Sequence, residues 1–190
     1  MEANHRGRIN ARLIDGVPEI DLAPIRDVDL DLSLGFEAGE RRRGYAMAGV
    51  PHLVVQCVDV ELVDVERRGG RLRRHEAFAE GANVDFVSTT GPESGAGPRA
   101  EGEVSHKTDE QAEAPVWAMR TFEGGVEAET LACGTGAVSS ALMLRLWGES
   151  GDETWIRTRS GRLVRVRLRR NGDAWYPSLA GEGRVVFQGS

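Results

Sequence analysis

Lysine is almost missing from this sequence: of its 24 basic residues, all but Lys107 are arginine. Pyridoxal phosphate enzymes need a lysine for their internal Schiff base. Lys107 stands in the least core-forming stretch of the chain, so no such cofactor is expected. Cysteine is scarce too, with only Cys57 and Cys133. The polar opening MEANHRGRIN contains no apolar signal region, and two thiols in that context read as reduced cysteines of a cytoplasmic protein rather than a disulfide framework. No apolar run approaches the roughly 20 residues that cross a bilayer. A net charge of −6 gives nucleic acid or anionic membrane no general reason to bind, and no bound metal is expected. What remains is 190 residues with 40% hydrophobic content, enough to bury a core.

Along the chain, RINARLI and PEIDLAPI flank Asp15-Gly16 and predict a hairpin. Residues 26–44 are charged without a clear period and read as a connection. HLVVQCVDV (52–60) predicts a buried strand, 61–80 one or two short helices, and NVDFVST (83–89) another strand. Residues 91–114 hold one valine and no Leu, Ile or aromatic residue; such a stretch cannot offset its ordering entropy by burial, which predicts a flexible acidic surface insertion. VWAMRTF (116–122) is a strand, and TWIRTR, GRLVRVRLRR, DAWYPSL and RVVFQG form a closing meander with turns at Ser160-Gly161 and Asn171-Gly172. The arginine/apolar alternation of RLVRVRLRR predicts a half-exposed antiparallel strand.

One long helix is predicted, at 136–147, apolar around its whole circumference apart from Arg145. A helix of that kind belongs in an interior. Many strands and one buried helix predict an α+β fold, an antiparallel sheet or barrel wrapped on a central helix.

Cys133 stands where that helix starts, inside ETLACGTGA, with Thr130 or Thr135 available as the cap. The first turn of a helix carries unpaired N–H groups and a positive dipole end, which favour an anion such as a carboxylate. The same field favours thiolate over thiol, so Cys133 is expected to be a base at neutral pH beside a carboxylate seat. That pairing suits removal of an amino-acid α-proton, with oriented N–H groups stabilising the carbanion. A cysteine hydrolase using Cys133 and His52 is the competing chemistry. A dinucleotide site fits poorly, because Gly134-Thr-Gly136 leads to Ser139 rather than glycine and no second βαβ unit follows.

FEGGVEAETLACGTGA is similar to the second cysteine motif of diaminopimelate epimerases. GVPHLVV (49–55), EGANVDFV (80–87) and LAGEGRVVFQG (179–189) resemble further motifs of that family, in order. The resemblance runs from about 44 to 190 and more weakly through the hairpin at 7–35. The ETLA lead-in favours the epimerases over the related proline racemases. It implies a cofactor-independent, two-base reaction at the α-carbon of LL- and meso-diaminopimelate in lysine biosynthesis, one cysteine abstracting and a second returning the proton. By resemblance Cys133 is one of that pair, His52 and Glu123 tune the thiols, Asn83 contacts substrate, and Gly134 and Thr135 hold the α-carboxylate.

The resemblance also breaks in places. The family's first-half motif, Cys-Gly-Asn-Gly, does not occur in the sequence, and Cys57 lies inside VVQCVDV with no glycine or helix start beside it, so it reads as core packing. The resemblance therefore divides the chain into 1–43, the tail of a first half, and 44–190, a second epimerase-like domain. A half site implies little or no activity alone, with the first half either lost to a truncated gene model or supplied as a separate chain, and an uncovered apolar face that favours homo-oligomers. The alternative is a non-catalytic binding or assembly module. Gly124 stands where the family usually carries a substrate-contacting arginine, and Val50 replaces a common asparagine.

Overall fold

The computed structural model describes residues 10–14, 16–89 and 115–182. The predicted insertion at 91–114 and residues 183–189 of the expected closing strand lie outside the described residues.

Strand β1 (Ala11–Ile14) turns through Gly16 into β2 (Val17–Asp21). After β3 (Val28–Asp29) come β4 (Glu40–Ala48) and β5 (Val50–Cys57), then a 3₁₀ turn at Val60–Leu62 and helix α1 (Val65–Arg73). Strands β6 (Asn83–Thr89), β7 (Val116–Glu123) and β8 (Ala128–Thr130) precede helix α2 (Gly134–Leu146). The meander β9 (Glu153–Arg157), β10 (Leu163–Asn171) and β11 (Ala174–Gly181) follows. All join one sheet in the order β1-β2-β11-β10-β9-β7-β6-β5-β4-β3, with β8 added beside β7.

The sheet is mixed, which corrects the all-antiparallel expectation. Strand β5 runs parallel to β6, and β7 parallel to β9, because α1 and α2 carry the chain over the sheet between the members of each pair. Residues 22–27 join the two ends: Leu22 and Ile25 bond to β11, whereas the Asp27 carbonyl accepts from Met47 of β4. The hairpin and residues 26–43 are thus tied into the same sheet as the rest.

Residues 26–44 are not merely a connection, since they contain β3 and the start of β4. Periodicity hides β4 because two of its inward positions, Glu40 and Arg43, are charged. Arg43 is fully buried, paired with Glu40 and bonded to the Leu34 carbonyl, and Arg68 of α1 reaches the same Glu40 at 2.6 Å.

Strand alternation divides the core in two. On β5, Leu53, Val55 and Cys57 face α1 with Leu72, Val84, Phe86 and Phe122. Val54, Val87, Trp117 and Met119 point to the other face, against Ala137, Val138, Ala141 and Leu142 of α2. Helix α2 packs against β4, β5, β6, β9, β10 and β11 and is buried from Gly136 to Leu144, as its all-round apolar sequence requires. Gly148, at φ +79°, ends it in a left-handed turn whose N–H bonds the Arg145 carbonyl. Helix α1 has an Asp64 cap and carries Gly69 where any Cβ would run into the Phe122 ring. Among the described residues, no helix is long and apolar enough to cross a membrane.

Candidate active site

The α2 face of the sheet gathers His52 of β5, Asn83 and Asp85 of β6, and Thr121 and Glu123 of β7. Register explains the convergence: His52 stands opposite Asn83, and Asp85 opposite Thr121. His52, Asp85 and Thr121 each share this face with a core residue two places away (Val54, Val87 and Met119), and Asn83 and Glu123 follow in the same alternation, so burial of the apolar neighbours fixes where the polar ones go.

Cys133 is itself the N-cap of α2. Its backbone is extended (φ −133°, ψ 113°) and Sγ accepts the Gly136 N–H at 3.4 Å. Neither threonine caps the helix as expected: Thr130 lies in β8 opposite Thr121, its buried Oγ1 without a hydrogen bond, and Thr135 turns its hydroxyl elsewhere. Gly136 has to be glycine, since a Cβ there would press on the Asp85 carboxylate. The Ala137 N–H bonds the Cys133 carbonyl, and the N–H groups of Gly134 and Thr135 have no partner among the described hydrogen bonds. Two free donors beside a sulfur at a helix start form a seat for a carboxylate.

A chain of contacts leads inward from the sulfur. Cys133 Sγ is 3.5 Å from Thr135 Oγ1, which is 3.0 Å from His52 Nε2. His52 Nδ1 is 2.7 Å from Asp85 Oδ2, and Thr121 donates to Asp85 Oδ1 at 2.7 Å. His52 and Asp85 are fully buried and Cys133 is 7% exposed.

This environment corrects the expectation of a resting thiolate. Burial pushes the Cys133 thiol up, the Asp85 carboxylate adds to that, and Glu123 pushes the same way. Hydrogen bonds from Thr135 and the Gly136 N–H pull it down without prevailing. The helix start supplies one N–H to the sulfur, whereas thiolate desolvation and two nearby carboxylates oppose ionisation. The balance around Cys133 lies toward the thiol.

The chain belongs to the diaminopimelate epimerase family. The family model described as "Diaminopimelate epimerase" matches residues 44–185. A diaminopimelate epimerase of Gemmatimonas aurantiaca is 47% identical over 197 residues, covering 98% of this chain and 63% of that protein. Those of Chlorobaculum tepidum and a Hydrogenobaculum species are 32% and 31% identical, covering 84% and 96% of this chain. The chain spans 54% and 58% of those two relatives' lengths. Among solved structures, a phenazine biosynthesis PhzF family protein of Enterococcus faecalis gives a TM-score of 0.42 at 14% identity, over 79% of this chain and 41% of that one.

The residues marked out by resemblance to the epimerases do not all meet in one hydrogen-bonded group. Cys133, Thr135 and His52 do. Glu123 is half-buried and influences the thiol by charge, with no described side-chain hydrogen bond to it. Asn83 spends its Oδ1 on the Gly124 N–H at 2.8 Å, pinning the turn after β7. Glu129 is a structural acid, doubly bonded to Arg120 at 2.7 Å. Cys57 is excluded from the site by strand parity: it lies on the α1 face, 3% exposed, with its thiol pushed up to about 12 by burial and by Glu40.

Three residues escaped sequence reasoning. Asp85 and Thr121 looked like ordinary strand residues, and only parity with His52's partner strand could have marked them. Arg73, at the end of α1, lays its guanidinium over Gly124 and Gly81, in the space a side chain at 124 would fill. Its Nε bonds Glu127 at 2.7 Å, and its two Nη groups have no described hydrogen bond. Glu127 also binds Arg74, and it is the one non-glycine residue with a left-handed backbone among the described residues (φ 59°).

Proposed function

We propose that the chain supplies one half of a cofactor-independent epimerase site acting at the α-carbon of LL- and meso-diaminopimelate, in cytoplasmic lysine biosynthesis. The observation that carries this is the Cys133 sulfur set at a helix start beside the unpartnered Gly134 and Thr135 N–H groups. Those two N–H groups hold the α-carboxylate and stabilise the charge that develops as the α-proton leaves. Cys133, resting as a thiol, returns a proton to one face of the carbanion; in the reverse direction its conjugate thiolate removes one. Glu123 and His52 adjust that balance. Residues 44–190 make up this second epimerase-like domain, and 1–43 the tail of the first, whose described strands β1, β2 and β3 join the same sheet.

Inversion needs a second acid–base group on the opposite face of the substrate. Cys57 cannot serve, being buried on the other side of the sheet. The second cysteine comes from outside these 190 residues. The purified chain is therefore expected to interconvert LL- and meso-diaminopimelate no faster than buffer. Addition of a polypeptide carrying a Cys-Gly-Asn-Gly first half is expected to restore interconversion, and Cys133→Ala to abolish it again. Interconversion by the chain alone, lost in Cys133→Ala, would overturn the half-site reading.

Arg73 supports the substrate assignment. A guanidinium with two free Nη donors is a bidentate carboxylate partner, and diaminopimelate carries a second carboxylate distant from its reacting carbon. Arg73→Gln is expected to weaken calorimetric binding of meso-diaminopimelate by roughly tenfold or more, the size of one charged hydrogen bond. The effect on alanine, which has one carboxylate, is expected to be negligible. Equal losses for both ligands would remove Arg73 from the substrate site.

A further inference from the structure

We infer that Asp85, His52 and Thr135 form a proton relay that loads and unloads the Cys133 sulfur, with Asp85 as the positioning residue that sets its direction. The inference rests on the reading of Cys133 as an acid–base group but not on the identity of the substrate.

Hydrogen-bond accounting fixes the direction. The Asp85 carboxylate only accepts; Oδ1 takes the Thr121 hydroxyl proton and Oδ2 faces His52 Nδ1 at 2.7 Å. The neutral imidazole therefore carries its proton on Nδ1, leaving a lone pair at Nε2. That lone pair, 3.0 Å from Thr135 Oγ1, takes the threonine proton. The threonine oxygen is left as an acceptor toward Cys133 Sγ at 3.5 Å. The resting order is then S–H to Oγ1, Oγ1–H to Nε2, Nδ1–H to Asp85.

Transfer reverses two of these bonds and breaks none of the contacts. The sulfur proton passes to Thr135 Oγ1 as the threonine proton passes to Nε2. The products are a thiolate accepting from Thr135 and an imidazolium donating from both nitrogens, to Thr135 and to Asp85. Charge is conserved and no outside reagent is needed. Because Cys133 is 7% exposed and His52 fully buried, this path exchanges the thiol proton without bulk water. The charged or titratable groups facing the relay are His52 from β5, Asp85 from β6 and Glu123 from β7.

Two effects of Asp85 oppose each other, which makes the inference testable. Its charge repels a thiolate, so a purely electrostatic bystander would make Cys133 more reactive when removed. As a relay member it stabilises the imidazolium through a direct hydrogen bond, one residue closer than the sulfur. Carbamidomethylation of Cys133 in the full chain, followed against pH by mass spectrometry, separates the two without any substrate. Wild type is expected to show a reactive shoulder, from the thiolate–imidazolium pair, at pH values below the main thiol step. Asp85→Asn is expected to lose that shoulder and react roughly tenfold slower at pH 7. Thr135→Val is expected to lose it too, whereas Thr135→Ser keeps it; this pair tests the relay even if the buried Asp85 variant fails to fold. Nitrogen-15 shifts of His52 are expected to report the Nδ1–H tautomer in wild type. A faster Asp85→Asn reaction, a Thr135→Val profile identical to wild type, or an Nε2–H tautomer would each overturn the relay. Absence of epimerisation would bear on the substrate reading and leave the relay standing.

Discussion

Replacing Glu40 by glutamine is expected to destabilise the fold by about 3–5 kcal/mol, the range for removing one partner of a buried ion pair. Glu40 is 5% exposed and serves two cations, Arg43 at 0% and Arg68 at 6%. The variant leaves Arg43 buried with no compensating carboxylate and Arg68 with only the more distant Glu37, at 3.6 Å. For a chain of this length the loss corresponds to a melting temperature lower by roughly 10 °C. Burial alone would raise the Glu40 carboxyl, but hydrogen bonds from Arg68, the Glu37 N–H and Arg43 hold it below its ordinary value. Its contribution is therefore complete above the unfolded carboxylate pKa, about 4.3, and is lost as pH falls through the lower folded value. Thermal melts from pH 7 to pH 3 are expected to show the wild-type advantage over Glu40→Gln shrinking at the acid end. A constant gap across that range would mean that the carboxylate charge is not what stabilises this contact. Glu19, 1% exposed and bonded to Arg12, Arg167 and Ser178, is likewise held low and adds to the same acid sensitivity.

Iodoacetamide at pH 8 is expected to label the native chain once, at Cys133, and Cys133→Ala is expected to abolish labelling. The thiolate is the reactive species. With its thiol pushed up to about 12, Cys57 has a thiolate fraction on the order of 10⁻⁴ at that pH. Its side chain is also buried in the core on the α1 side of the sheet. Cys133 lies at the mouth of the site between exposed Leu131 and the start of α2. Its own raised thiol makes it slower than a free cysteine in water, yet far faster than Cys57. Both residues should label equally in denaturant. Native labelling of Cys57 at a rate comparable to that of Cys133 would show that the α1 layer opens readily and that the two-layer packing is weaker than described.

The contrast between the two cysteines illustrates how far the sequence could be read. GTGAVSSALML marks a buried helix at sight, because no face of it is polar, and α2 is found there. NVDFVST coincides with β6 to the residue, since a short β-branched run between Gly81 and a polar stretch has one reasonable interpretation. Strand β4 was illegible: ERRRGYAMA carries charge at two inward positions, Glu40 and Arg43, and only a partner 28 residues away, Arg68 with Glu40, makes that charge tolerable inside. Strand β8 was likewise missed, because three residues of EAET carry no periodic signal; it exists as an addition to the edge of β7.

The same distinction holds at the site. Local sequence determined that Cys133 begins a helix, that glycines surround it, and that free N–H groups follow, since all of that is encoded within one turn of backbone. It also placed His52 and Asn83 at strand starts, and Glu123 just past a strand where the structure has it as the last residue of β7. It could not determine the protonation of the sulfur. A helix start by itself favours thiolate, but the desolvation and the Asp85 and Glu123 charges that outweigh it come from β6 and β7, whose register against one another is set by long-range pairing. Nor could it show Arg73 reaching over Gly124, or Asp85 meeting His52, since both contacts join elements tens of residues apart. Chain-local chemistry follows from the order of residues; the electrostatic balance of a buried group depends on everything packed around it, and that was decided only when the sheet closed over α2.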